Sequence, residues 1–172
     1  MELERKFCGS GGGVTVSDGA VIEGYASVFG ACDRGGDVVA AGAFGAPGRV
    51  KMLWQHDPAR PIGVWDEVRE DATGLFVKGR LLTEVAQGRE AAALVAAGAV
   101  DGLSIGYRVR RATKDGQGRR VLHEVELWEV SLVTFPMLAE ARVGAKGEGP
   151  EAAALRRMAA VLRDARREWA RD

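Results

Sequence analysis

Apolar residues recur at every second position in short runs that end in glycine or proline, a period that dictates strands rather than a helical bundle. Val50, Met52, Trp54 and His56 share one parity of the run 49–56. Ile22, Gly24, Ala26 and Val28 share one face of the run 21–29. Glycine supplies the punctuation: 24 of 172 residues, about 14% against a usual share of roughly 7%, beside only 5 prolines. Residues 62–67, 74–82, 103–111 and 120–133 read as further strands, the last two joined by the turn Asp115-Gly116-Gln117-Gly118. The stretch 30–48 reads as a glycine- and aspartate-rich connection. Asp57-Pro58-Ala59-Arg60-Pro61 reads as a turn, because two prolines remove ladder donors.

The period changes at Thr83, which can cap a helix over 84–97 that Gly98 stops. Residues 144–150 have linker composition. Residues 151–172 form a second predicted helix, with Leu155, Met158, Leu162, Ala165 and Trp169 spaced by three and four. The expected domain therefore covers 1–143, followed by the linker 144–150 and an amphipathic tail, 151–172. Strands in series with few helices suggest an α+β fold: a mainly antiparallel, barrel-like core with flanking helices.

Several function classes fall away. Lys and Arg total 24 and Asp and Glu total 24, a balance that favours neither nucleic acid nor an anionic membrane as partner. The charged start Met-Glu-Leu-Glu-Arg-Lys-Phe is no signal peptide, and the Ala-rich run 91–100 is about half the roughly 20 residues of a membrane span. An intracellular, soluble protein is expected. Two cysteines, Cys8 and Cys32, make no disulfide framework, and two histidines without metal-ligand spacing make no metal centre. No cofactor is expected, since Gly9 to Gly13 lacks the Lys-Ser or Lys-Thr of a phosphate loop. Arg108, Arg110, Arg111, Arg119 and Arg120 form a basic ribbon, read either as a solvated face or as a contact for an acidic segment.

The scarce reactive residues carry the chemistry. His56 ends an apolar run just before a loop, where reactive groups concentrate. Ser104 stands in Gly102-Leu103-Ser104-Ile105-Gly106, a literal G-x-S-x-G. A helix precedes it and a strand follows, the reverse of the nucleophile elbow of α/β-hydrolases. The bland alternative is a tight helix-to-strand turn that Ser104 caps. A serine hydroxyl needs a base, and the base needs an orienting group. His56 can be the base. Glu129, flanked by Trp128 and Val130, is a carboxylate in an apolar setting, and such a charge requires a partner. Glu126 and His123 are the alternatives for the third position.

Four blocks, in order, resemble the prohead (capsid maturation) proteases of tailed phages and phage-derived particles. They are Gly24-Tyr25-Ala26-Ser27-Val28-Phe29 with Asp33, Gly36-Asp37 and Gly42-Ala43-Phe44; Leu53-Trp54-Gln55-His56-Asp57 with Pro61-Ile62-Gly63; Gly102-Leu103-Ser104-Ile105-Gly106-Tyr107; and Glu126-Leu127-Trp128-Glu129-Val130-Ser131-Leu132-Val133-Thr134 with Pro136. The resemblance implies a fold like the herpesvirus maturation protease. It also implies a serine endopeptidase with Ser104 as nucleophile, His56 as base and Glu129 as orienting acid. The implied partners are the major capsid protein precursor and its scaffold segment, cut inside the immature procapsid in the bacterial host. A homodimer is a further implied arrangement, and the family often cuts itself. After Pro136 the sequence departs from the family, with Met137 and Leu138 where a small residue and Asn are usual. Two other classes stay open at this point: a non-enzymatic assembly protein of the same fold, and a small serine esterase or amidase.

Overall fold

The longest ladder of the structure is a hairpin that the sequence marks at its turn. A computed structural model describes residues 4–7, 15–17, 20–33 and 35–135 of the chain. Within it β8 (Gly102–Lys114) and β9 (Arg120–Val133) pair antiparallel along their whole length. Asp115 makes the turn: its carboxylate accepts the N–H groups of Gln117 and Arg119, both at 2.9 Å, and Gly118 adopts φ +80°. Before the hairpin come β1 (Glu4–Phe7), β2 (Thr15–Ser17), β3 (Val21–Val28), β4 (Asp37–Val39), β5 (Lys51–Trp54), β6 (Asp57–Glu70) and β7 (Gly74–Leu81). Helix α1 (Ala86–Ala96) lies between β7 and β8.

The strands form one sheet in the order β1-β8-β9-β5-β6-β7-β3-β2, with β4 beside β9. It curls into a half-barrel. Most pairs are antiparallel, as expected, but β4 and β5 each run parallel to β9. The described residues are thus mostly β with one helix. The second predicted helix and its linker, 144–172, lie outside them. No helix among the described residues is long and apolar enough to cross a membrane.

The core buries Ile22, Met52, Ile62, Leu75, Val77, Leu103, Ile105, Tyr107, Leu122 and Leu132, each at most 1% exposed. Burying such a side chain is worth about 1.5–3 kcal/mol, so truncating Leu132 to Ala costs about 2–5 kcal/mol. Helix α1 covers the sheet with Ala91, Ala92 and Val95. It packs flush because Gly88 carries no Cβ, which would stand 2.1 Å from the carbonyl oxygen of Leu82.

Four local expectations change. Strands β1, β2 and β4 occupy stretches that lack clear alternation, being only three or four residues long. Helix α1 begins after Val85, not Thr83, and no side chain caps it. The proline segment 57–61 is the start of β6, not a turn. Pro61 sits opposite Leu53 where the β5–β6 register is irregular, so its missing N–H interrupts no regular ladder. The turn lies earlier, at Gln55 and His56, between the paired Trp54 and Asp57. Both adopt left-handed φ, +53° and +62°, the signature of a two-residue hairpin turn normally filled by Asn and Gly. Finally, the glycines around Ser104 make no helix-to-strand turn. Gly102 to Gly106 run inside β8, and the chain turns at Gly98 (φ +71°) instead.

Candidate active site

Three adjacent strands bring the scarce residues together. Parallel pairing sets Leu53 of β5 opposite Ser131 of β9, and antiparallel pairing sets Ser104 of β8 opposite the same Ser131. Strand β9 is therefore the spine, with the nucleophile candidate on one side and the histidine turn on the other. Ser104 Oγ lies 2.6 Å from His56 Nε2, and His56 Nδ1 lies 2.5 Å from Glu129 Oε1. The carboxylate uses its other oxygen as well: Glu129 Oε2 accepts the Ser131 hydroxyl at 2.5 Å. Ser131 Oγ in turn accepts the backbone N–H of His56 at 3.2 Å.

The left-handed turn is held from β9. Gln55 N–H donates to the Leu132 carbonyl at 2.9 Å, and the Gln55 side-chain amide donates to Thr134 Oγ1 at 2.6 Å. A non-glycine residue with positive φ costs of order 1–3 kcal/mol when it persists, and these contacts fix the conformation against that cost. The strain has a geometric use. A histidine that stayed in the strand would keep the strand's up-and-down alternation, whereas the turn swings the ring between Ser104 and Glu129.

All four groups are shielded from water: Ser104 and Ser131 are 0% exposed, Glu129 6% and His56 8%. A buried carboxylate is expensive unless hydrogen-bonded, and Glu129 finds two partners here. It also has room. Gly106 is its cross-strand partner, and a Cβ at Gly106 would stand 2.1 Å from Glu129 Oε1. The second glycine of the G-x-S-x-G string is thus a space for the acid.

The alternative third members are elsewhere. Glu126 pairs with Arg110 on the exposed side of the hairpin. His123 bonds Thr113 Oγ1 at 2.8 Å, also at the surface. The basic ribbon is largely neutralised: Arg110, Arg119 and Arg120 pair with Glu126, Asp115 and Asp37, and Arg108 stacks over Trp128. The backbone around the nucleophile candidate is flanked by β1 and β9 over Ser104–Tyr107, so its N–H groups face ladder partners. Among the described residues no three His, Cys, Asp or Glu side chains cluster as metal ligands. Sequence reasoning missed the roles of Gln55 and Gly106. Proximity to His56 and Ser104 was their one signal.

An arrangement of this kind can activate a hydroxyl. A ring nitrogen within 2.6 Å takes its proton, while a carboxylate on the opposite nitrogen fixes the tautomer and balances the charge formed. Residues 13–155 match the family described as caudovirus prohead serine protease. The chain is 34% identical over 152 residues to the prohead protease of Enterobacteria phage HK97, a match covering 84% of this chain and 65% of that protein. The chain thus spans just under two thirds of that relative. Its fold is similar to that of the bacteriophage T4 capsid assembly protease, with a TM-score of 0.55 at 18% identity, over 78% of this chain and 98% of that one. With most of its length matched by the family model, the chain belongs to the caudovirus prohead serine protease family.

Proposed function

We propose that the chain is a serine endopeptidase that processes the capsid precursor and scaffold segment of a tailed-phage or phage-derived procapsid. The observation that carries this reading is the unbroken series Ser104 Oγ, His56 Nε2, His56 Nδ1, Glu129 Oε1 at 2.6 and 2.5 Å. Family membership and the names of the relatives, a prohead protease and a capsid assembly protease, supply the substrate class. Ser104 attacks the peptide carbonyl as His56 Nε2 takes its proton. Glu129 holds the Nδ1–H and stabilises the imidazolium. His56 then protonates the leaving amine, and water clears the acyl-enzyme by the same route. An orienting carboxylate in such a triad is worth about 10⁴ in rate.

The finer parts of the reading travel with it. The barrel is likened to the herpesvirus maturation protease, the site of action is the immature procapsid in the bacterial host, and a homodimer is one working arrangement. Residues 1–143 form the protease domain and 144–172 a linker and tail used for packaging. Removal of residues 145–172 with full incorporation into particles would sink the role of the tail.

The test is co-expression with the capsid precursor encoded beside this chain, wild type against Ser104→Ala, read by intact mass. Shortening of the precursor by wild type alone supports both the activity and the nucleophile. A precursor left whole by wild type in assembled shells would overturn the proposal in favour of an assembly protein. Turnover of small esters with no cleavage of the precursor would favour an esterase.

A further inference from the structure

We propose that Ser131 is a fourth, positioning member of the reactive centre, an inference that rests on the serine-protease reading above. Its hydroxyl has a single proton, and the partners dictate where it goes. The Glu129 carboxylate can only accept and the His56 N–H can only donate, so Ser131 gives its proton to Oε2 and its lone pair to His56. The bonds close a ring that runs from the His56 imidazole to Glu129, on to Ser131, and back to the His56 backbone.

This ring holds the histidine at both ends. The imidazole is fixed through Glu129, and the left-handed backbone at φ +62° is fixed through Ser131. Ser131 is also the β9 residue opposite both Ser104 and Leu53, so its backbone lies between the two strands that must stay in register. It is fully buried, and water does not replace it readily. Ser131→Ala leaves Glu129 Oε2 and the His56 N–H without this partner, and the ring can turn away from Ser104.

The test uses the full-length chain and diisopropyl fluorophosphate, with the labelling rate at Ser104 read by intact mass. Ser131→Ala is expected to slow labelling about ten- to a hundredfold, the range for losing a hydrogen bond to a charged group. Ser131→Thr, which keeps the hydroxyl, is expected to stay within about threefold of wild type. Ser131→Ala is expected to cost less in a Glu129→Gln background than in wild type, because part of its effect runs through that carboxylate and only the bond to the His56 N–H remains to be lost. Thermal melts establish that each variant is folded. Should Ser131→Ala fail to fold, Ser131→Cys, a weaker donor of similar size, carries the same comparison. An undiminished rate, or a full extra penalty in the Glu129→Gln background, would overturn the positioning role. A wild-type chain that takes no label at Ser104 would overturn the serine-protease reading and this proposal with it.

Discussion

Gly106→Ala isolates the space the acid occupies. The new methyl would stand 2.1 Å from Glu129 Oε1, 2.7 Å from Cδ and 2.8 Å from Cγ. Ordinary van der Waals contact begins near 3.4 Å, so the carboxylate oxygen must retreat by about 1.3 Å. The end of a glutamate is flexible, yet this one is bonded to His56 and Ser131 and buried, and Cγ is crowded too. A retreat of that size stretches the 2.5 Å bond to His56 beyond hydrogen-bonding range. A misplacement of about 1 Å costs about 10²-fold, and complete loss of the orienting acid about 10⁴-fold. Labelling of Ser104 by diisopropyl fluorophosphate is therefore expected to fall between these limits. The same substitution made on Glu129→Ala, where the clash is gone, is expected to cost nothing further. Gly106 has no positive φ to relieve, so backbone conformation offers no competing explanation. A Gly106→Ala chain that labels at the wild-type rate would refute the steric argument outright.

Three other perturbations probe the scaffold. Ser27 Oγ is fully buried without a hydrogen-bond partner among the described residues. Ser27→Ala should thus raise stability by about 1 kcal/mol, visible as a higher melting temperature. The Tyr25 hydroxyl, with backbone N–H groups of Thr73 and Gly74, holds the Asp71 carboxyl at about 2, below its ordinary 3.8. A depressed carboxyl stabilises the fold above its unfolded value and loses that contribution as pH falls from about 3.8 through about 2. Tyr25→Phe should therefore raise the Asp71 midpoint in an NMR titration and move acid unfolding to higher pH. Arg120 grips Asp37 with two bonds, at 2.9 and 2.6 Å, where Tyr107 also donates. Arg120→Ala should cost about 2 kcal/mol in chemical denaturation, discounted because the arginine is half in water.

The residues of the candidate site were easier to single out in the sequence than the elements that hold them. Glu129 was legible because a carboxylate among apolar neighbours demands a partner, and Ser104 and His56 because reactive residues are scarce. The long strands showed their period, as did the Asp115 turn. Strands β1, β2 and β4 did not, since three or four residues are too few to display alternation. The turn at Gln55 and His56 was hidden because neither residue favours left-handed backbone. The conformation is imposed by β9, which local propensity cannot register. The parallel partnership of β5 with β9 was equally silent, being a tertiary choice between distant segments. Gly106 looked like a turn glycine because its reason lies across the ladder, in Glu129.

That parallel partnership has a consequence in time. His56 stands 48 residues from Ser104 and 73 from Glu129, so both bonds of the imidazole are contacts distant in sequence. Pairings of this kind form late, because the entropy of closing a long loop is spent before any contact returns it. On the ribosome, β5 is finished long before its partner β9 exists. The candidate centre therefore cannot assemble before β9 has been made, and in refolding the reactivity of Ser104 should return with the slowest phase, not with the first collapse. The connectivity of the sheet itself ties assembly of the candidate centre to the last of its strands.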